Sequence, residues 1–347
     1  MAIRCSVLGG SAQPYSVSKC FEVFRRDVVD LDPGDTATAR TSRDFVLANI
    51  ARLSNEGKLP DVMGDYCLNF GSFARNTKIR PLDDIDMMIC YDGTCGVYDT
   101  VRQNELYYVK FSSGHPFFDD LRNDDGRTLN SRRVINQLIG ALGGVEKYAK
   151  ADLHRRGEAT TLQLKSYTWN FDIVPCFYTK QGFYLIPDGQ GNWKNTDPRI
   201  DRARVAEVNQ GCGGWALPLI RLMKYWKNLA WGDAVYSYLF EQMVLNCVAA
   251  GKASGDTWQE RVKNELTYLK DAIRKPVPDP KGIQGDLNDV APIDRIELSQ
   301  KAQIDASSAV MAIVAETLGQ TKDAIAEWKN VFGKEFPDYG ALMCKCM

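Results

Sequence analysis

Three aspartates stand out because of the company they keep. Asp84 and Asp86 sit two apart in DDIDMMICY, and Asp172 lies in NFDIVPCF; both runs are otherwise mostly apolar and β-rich. On a strand, residues two apart project to the same side, so Asp84 and Asp86 present paired carboxylates on one face while Ile85 and Met87 turn to the core. Like charges on an apolar strand repel and are costly to desolvate, and an offsetting positive charge is expected. Hard divalent cations prefer such oxygen ligands. If the strand around 172 pairs beside 84–91, three carboxylates converge in a cluster suited to two Mg²⁺ or Mn²⁺ ions, the arrangement that activates a hydroxyl and stabilises departing pyrophosphate in an in-line displacement. Asp172 is also placed to accept that hydroxyl's proton.

Upstream, Gly71-Ser72 closes a strand reading over 66–70. Glycine lets backbone approach a phosphate, and exposed N–H groups with the Ser72 hydroxyl can hold its oxygens. Arg75, Lys78 and Arg80 follow close by and are candidates for phosphate contact or for plain surface solvation.

The string GSFARNTKIRPLDDID, followed by FDIVPCF, resembles the DNA polymerase beta-type nucleotidyltransferase superfamily. More narrowly it is similar to the bacterial CD-NTases, relatives of cyclic GMP-AMP synthase and oligoadenylate synthase. LIRLMKYWKN, residues 219–228, resembles that group's following helix. The likeness runs loosely from about 15 to 250 and is most specific over 70–91 and 169–178. It implies a triphosphate-binding lysine at Lys224, a triphosphate contact at Ser237 and a base-stacking ring at Tyr238. The loop from Trp193 to Asp197 resembles a region bordering the nucleotide pocket, which makes Thr196 and Asp197 further candidates. Independently, Arg221, Lys224 and Asn228 share one helical face and could aim a basic row at a phosphate.

The elements that must position these residues follow from periodicity. Val17, Phe21, Phe24 and Val28 mark one helix and Val46, Ile50 and Leu53 another, over about 36–53. Strands are expected at 84–91, 161–165, 167–177 and 182–186, with a short helix over 134–142. Residues 92–130 read as an irregular insertion with short strands, PDGQGNWKNTDPR as turns throughout, and His154, Arg155 and Arg156 as a surface turn. Beyond about 205 the chain reads as helical, with helices at 236–250, 258–273 and 306–328 around a Pro- and Gly-rich loop. The expected class is α+β: a polymerase beta-like lobe with a mixed sheet over 1–200, with N-terminal helices packing on both lobes. A helical lobe over 201–347 completes it, with the active-site cleft between the two.

Bulk properties narrow the function. The net charge is -1, unlike a protein that coats nucleic acid, and activation by nucleic acid is not expected. Ten cysteines without a paired C-x-x-C, and only two histidines, argue for free thiols in a reducing compartment rather than zinc. The opening MAIRCSVLGG is too short for a signal peptide, and no run approaches a membrane span, which gives a cytoplasmic expectation with no membrane partner. The resemblance implies a synthase that joins nucleoside triphosphates (ATP, GTP or pyrimidine nucleotides) into a cyclic di- or trinucleotide. A separate effector protein would read that antiphage messenger, and a regulatory protein partner could gate the enzyme. The alternatives are nucleotide transfer to RNA, protein or a small molecule, and an inactive nucleotide sensor; the intact acidic residues count against the last.

Overall fold

The computed structural model describes residues 15–102 and 105–340. The opening segment MAIRCSVLGG and Cys5, Cys344 and Cys346 lie outside the described residues. In chain order the elements are α1 (Val17–Phe24), continued by a π turn at Arg25–Val29, and α2 (Pro33–Asn55). Then come β1 (Leu68–Phe70), the single turn α3 (Gly71–Ala74), β2 (Asp84–Cys90), β3 (Gly96–Arg102), β4 (Leu106–Phe111) and α4 (Ser131–Gly143). These lead into β5 (Asp152–Arg156), β6 (Ala159–Gln163), β7 (Asn170–Tyr178), β8 (Tyr184–Pro187), β9 (Trp193–Thr196) and α5 (Pro198–Gly211). The remainder is helical: α6 (Ala216–Ala230), α7 (Ser237–Ala249), α8 (Trp258–Ala272), α9 (Pro292–Thr317) and α10 (Thr321–Phe332).

The described chain divides into two compact units. Residues 31–217 and 276–289 form a sheet unit, and 15–30, 218–275 and 290–340 form a helical unit. This α+β division differs in detail from a single break near residue 200. Helix α5 belongs with the sheet, α1 belongs with the helices, and the Pro-rich loop returns to the sheet unit. Chemistry that no periodicity reports holds that loop. Lys281 is nearly buried and pairs with Asp201 of α5 at 3.2 Å and with Asp279 at 3.3 Å.

In the sheet unit, the strand order is β1-β2-β7-β8-β9-β4-β3, with β6 also pairing β7 and β5 pairing β6. Among the described residues only β2 and β7 run parallel, and the other strand pairings are antiparallel. The period-2 pattern explains the burial. Ile85, Met87 and Ile89 of β2 and Phe171 and Ile173 of β7 join one core with Val134, Leu138 and Leu142 of α4 and Val46 and Ile50 of α2. The opposite parity puts Met88, Cys90, Val174 and Cys176 in a second cluster, and the same face becomes acidic toward the start of each strand. Helix starts follow capping chemistry: Asp32 accepts from the Gly34 N–H at 2.8 Å ahead of Pro33, and Asn130 caps α4.

Three readings of local structure change. Trp193–Thr196 is a strand rather than turn. Asp188 gathers the amides of residues 190–192 as turn chemistry predicts, but Trp193 is then fully buried, its indole donating to the Leu129 carbonyl at 3.0 Å. His154, Arg155 and Arg156 lie on strand β5, paired along β6, rather than on a turn. The helix expected over 306–328 is two helices: α9 starts earlier, at Pro292, and ends before Gly319, whose φ of 76° no helix continues through.

In the helical unit, Phe21 of α1 meets the rings of Trp328, Phe332 and Phe336 at 4.9, 5.8 and 5.2 Å. Edge-on aromatic packing of this kind, with the apolar stripe Leu219, Leu222, Met223 and Trp226 of α6, forms the core of the unit.

Candidate active site

Strand register places the acidic residues. β2 and β7 pair in parallel with Asp84 opposite Asn170 and Asp86 directly opposite Asp172. Cross-strand partners point the same way, so Asp84, Asp86 and Asp172 share one face of two adjacent strands. Asp86 registers this directly: its pKa is pushed up to about 7, first by burial and then by the charges of Asp84 and Asp172, with Lys78 and Arg75 pulling the other way.

Each outer carboxylate has a protein partner. Lys78 Nζ lies 2.8 Å from Asp84 and also contacts Asp83. Burial works against charge on Lys78, but Asp84 and Asp83 outweigh it and raise its pKa. Thr161 of β6 donates its hydroxyl to Asp172 at 2.6 Å, because β6 pairs β7 with Thr161 opposite Asp172. Among the described residues no three metal-capable side chains are gathered tightly enough to hold an ion as they stand. Lys78 engages Asp84 and Thr161 engages Asp172 in this arrangement. The donor set nonetheless fits divalent ions, being all-oxygen, acidic and short of compensating charge at Asp86.

Gly71 is fixed by this arrangement. Its φ is 69°, and a Cβ built there would fall 1.7 Å from the Asp86 carboxylate. Only glycine allows the α3 turn to pass so close to the acid. Ser72 stands next in the turn, half-buried, and its carbonyl accepts from the Thr77 and Lys78 amides at 2.9 and 3.2 Å. These bonds brace the Gly71-Ser72 turn against the connection that leads into β2.

Other candidates fall elsewhere. Lys224, Ser237 and Tyr238 belong to the helical unit. Lys224 is not on a solvated face: it is almost fully buried on α6, 3.7 Å from Glu241 of α7, which is itself buried. Ser237 is exposed at the first turn of α7, and Tyr238 beside it is partly exposed. Arg221 is engaged within its own unit, its Nε 2.6 Å from Asp30, so it does not simply extend a basic row with Lys224. Asp197 is buried and serves the fold. It caps α5 through the Arg199 amide and pairs with the Arg199 guanidinium at 2.7 Å. Thr196 lies half-buried on β9 opposite Tyr184. Sequence reasoning missed Thr161 and Glu241. Thr161 had a signal, since a hydroxyl residue on the strand flanking Asp172 is a ready partner; Glu241 reads as one acid in an apolar helix and gave none.

A half-curled mixed sheet with two acids on one strand and a third on its parallel neighbour, behind a Gly-Ser turn, defines the polymerase beta-type nucleotidyltransferase class. The comparisons narrow it. No family model matches the chain. The chain is 41% identical over 336 residues to the probable cyclic nucleotide synthase IK1_05630 of Bacillus cereus (strain VD146), spanning 93% of this chain and 98% of that protein. It is 27% identical over 222 residues to the cyclic dipyrimidine nucleotide synthase CdnE of Cecembia lonarensis, covering 59% of this chain and 69% of that one. Among solved structures, E. coli MS115-1 CdnC with ATP aligns with a TM-score of 0.69 at 15% identity, covering 92% of this chain and 98% of that one. Vibrio cholerae DncV in its GTP-bound form aligns at 0.65 and 13% identity, covering 94% and 97%. At such identities the structures speak for the fold alone. The chain belongs to the CD-NTase family of cyclic nucleotide synthases and is a nucleotidyltransferase.

Proposed function

We propose that this nucleotidyltransferase joins nucleoside triphosphates into a cyclic di- or trinucleotide messenger at Asp84, Asp86 and Asp172, and that the product serves antiphage (CBASS) signalling through a separate effector protein. The observation that supports this best is the pairing of Asp86 with Asp172 across parallel strands, with Asp84 on the same face. Asp84, Asp86 and Asp172 would hold two Mg²⁺ or Mn²⁺ ions, which supply Lewis acidity for the attacking hydroxyl and for the pyrophosphate that leaves. Asp172 takes the hydroxyl proton, kept in position by Thr161. Gly71 and Ser72 carry the triphosphate against the start of β2, with Arg75 contributing positive potential there. The family resemblance further assigns triphosphate contacts to Lys224 and Ser237 and base stacking to Tyr238.

ATP, GTP and pyrimidine triphosphates are the proposed substrates. One relative is named a cyclic dipyrimidine nucleotide synthase and another, from Acinetobacter, a cyclic AMP-AMP-AMP synthase, so the family spans both base classes. A solved relative of the same fold is a CdnC:HORMA-deltaN complex, which supports a protein regulator for this chain as well. Among the described residues no helix is long and apolar enough to cross a membrane, in keeping with the proposed cytoplasmic site.

The test incubates the protein with four labelled triphosphates and Mg²⁺ or Mn²⁺, then with phosphatase, and weighs the product by mass spectrometry. A phosphatase-resistant cyclic product absent from an Asp84→Asn, Asp86→Asn variant is expected. Label appearing only on added RNA or protein would overturn cyclisation, and wild type matching the variant would overturn catalysis.

A further inference from the structure

An open pocket of about 580 Å³ lies within the sheet unit between α2, the short turn at 146–148 and the connection from β6 to β7, and none of Asp84, Asp86 and Asp172 lines it. Lys147, Lys150 and Lys165 surround it, Phe45, Tyr148 and Tyr167 supply aromatic walls, and no acidic residue lines it. Among the described residues no carboxylate lies within ion-pair distance of any of these three lysines. Most other lysines of the same unit, Lys58, Lys78, Lys110, Lys194 and Lys281, have an acidic partner, whereas Lys180, exposed like the three pocket lysines, has none among the described residues. Lys147 instead rests over the Phe45 ring, 4.5 Å from its centre, the contact an ammonium makes when an aromatic face is its best neighbour.

Three unpaired cations held around one concavity repel each other and attract an anion. Lysine ammonium groups bind phosphate as point charges, and flat aromatic walls accept a ring by stacking. The volume falls in the range of small-molecule sites and is too small to enclose a folded partner. From this geometry we infer that the pocket binds a nucleoside phosphate, its phosphate among Lys147, Lys150 and Lys165 and its base against the aromatic walls. The pocket shares no lining residue with the acidic cluster, and the inference does not depend on the proposed reaction.

Pyridoxal 5′-phosphate, a planar ring bearing a phosphate, is a suitable probe. Its aldehyde condenses with a lysine amine, losing water, and borohydride reduces the imine to a stable adduct mapped by mass spectrometry. With the full-length protein in EDTA, Lys147, Lys150 and Lys165 should be modified at least ten-fold more readily than exposed Lys180 and Lys322. AMP should suppress that labelling, and pyridoxal without phosphate should show no such preference. A Lys150→Gln, Lys165→Gln variant should lose the preference at Lys147 while keeping wild-type nucleotide synthesis, since neither lysine touches the acidic site. Any label on Lys224 reports the catalytic site and is scored apart. Uniform labelling of surface lysines, equal labelling by pyridoxal, or protection by a single-stranded oligonucleotide but not by AMP would overturn the inference.

Discussion

Asp86 is half-buried and Asp305 fully buried, and the two are provided for in opposite ways. Asp305 on α9 is 2% exposed, yet its oxygens receive Lys301 at 2.7 and 2.8 Å and the Trp226 indole at 2.8 Å. Asp86 on β2 faces two further carboxylates and is destabilised in its charged form. The fold satisfies Asp305 fully and leaves Asp86 among like charges; under the proposed function Asp86 is the acid left for a cation to neutralise.

The largest effect that would sharpen this contrast is on activity. Asp86→Asn should lower nucleotide synthesis on the order of 10⁴-fold while raising the melting temperature of the metal-free protein; a variant less stable than wild type would break the comparison. Asp305→Ala should do the reverse. It strands the indole and loosens Lys301, costing about 2 kcal/mol of stability in chemical denaturation, with activity per folded molecule kept near wild type. Gly71→Ala tests the same site from the other side: its Cβ would meet the Asp86 carboxylate and its φ is unfavourable. It should abolish synthesis and destabilise by at least about 1 kcal/mol.

Titration offers a subtler test. Asp86 has a folded pKa raised to about 7, above the unfolded carboxylate value of about 3.9. Between these values the folded state holds a proton that the unfolded state has lost, so this residue makes stability fall as pH rises from about 4 to 7. In EDTA, the stability difference, wild type minus Asp86→Asn, should decline across that window and then level off. Saturating Mg²⁺ should flatten it. The smallest effect belongs to Thr161→Val, which removes the hydroxyl from Asp172. About a ten-fold loss in kcat with KM nearly unchanged is expected, and an unaltered kcat would remove Thr161 from the positioning of Asp172.

The strand chemistry was legible because a period of two leaves little freedom. Once 84–90 is a strand, Ile85 and Met87 must go inward and Asp84 and Asp86 together outward. That the strand around 172 pairs beside 84–91 was a conditional reading that the structure meets; the parallel orientation and the Asp86–Asp172 register come from the structure. Helix faces were less readable. Lys224 sits beside an apolar stripe in sequence, but its burial against Glu241 depends on how α6 meets α7, which no spacing encodes. Asp197 illustrates a second limit. A cap, a buried pair with Arg199 and a nucleotide contact all call for the same residue type, and the sequence alone does not reveal the cap and the Arg199 pair that the structure shows. The return of residues 276–289 to the sheet unit rests on Lys281 and Asp201, eighty positions apart, a pairing outside the reach of local pattern.

The central claim is that Asp84, Asp86 and Asp172 together hold divalent ions. Crystals grown with Mn²⁺ and a non-hydrolysable nucleoside triphosphate, measured at a wavelength where manganese scatters anomalously, test it most directly. Two anomalous peaks bonded to these three carboxylates, with Lys78 displaced from Asp84, are the expected result. Peaks bonded to other side chains, or none at all with nucleotide in place, would contradict the account.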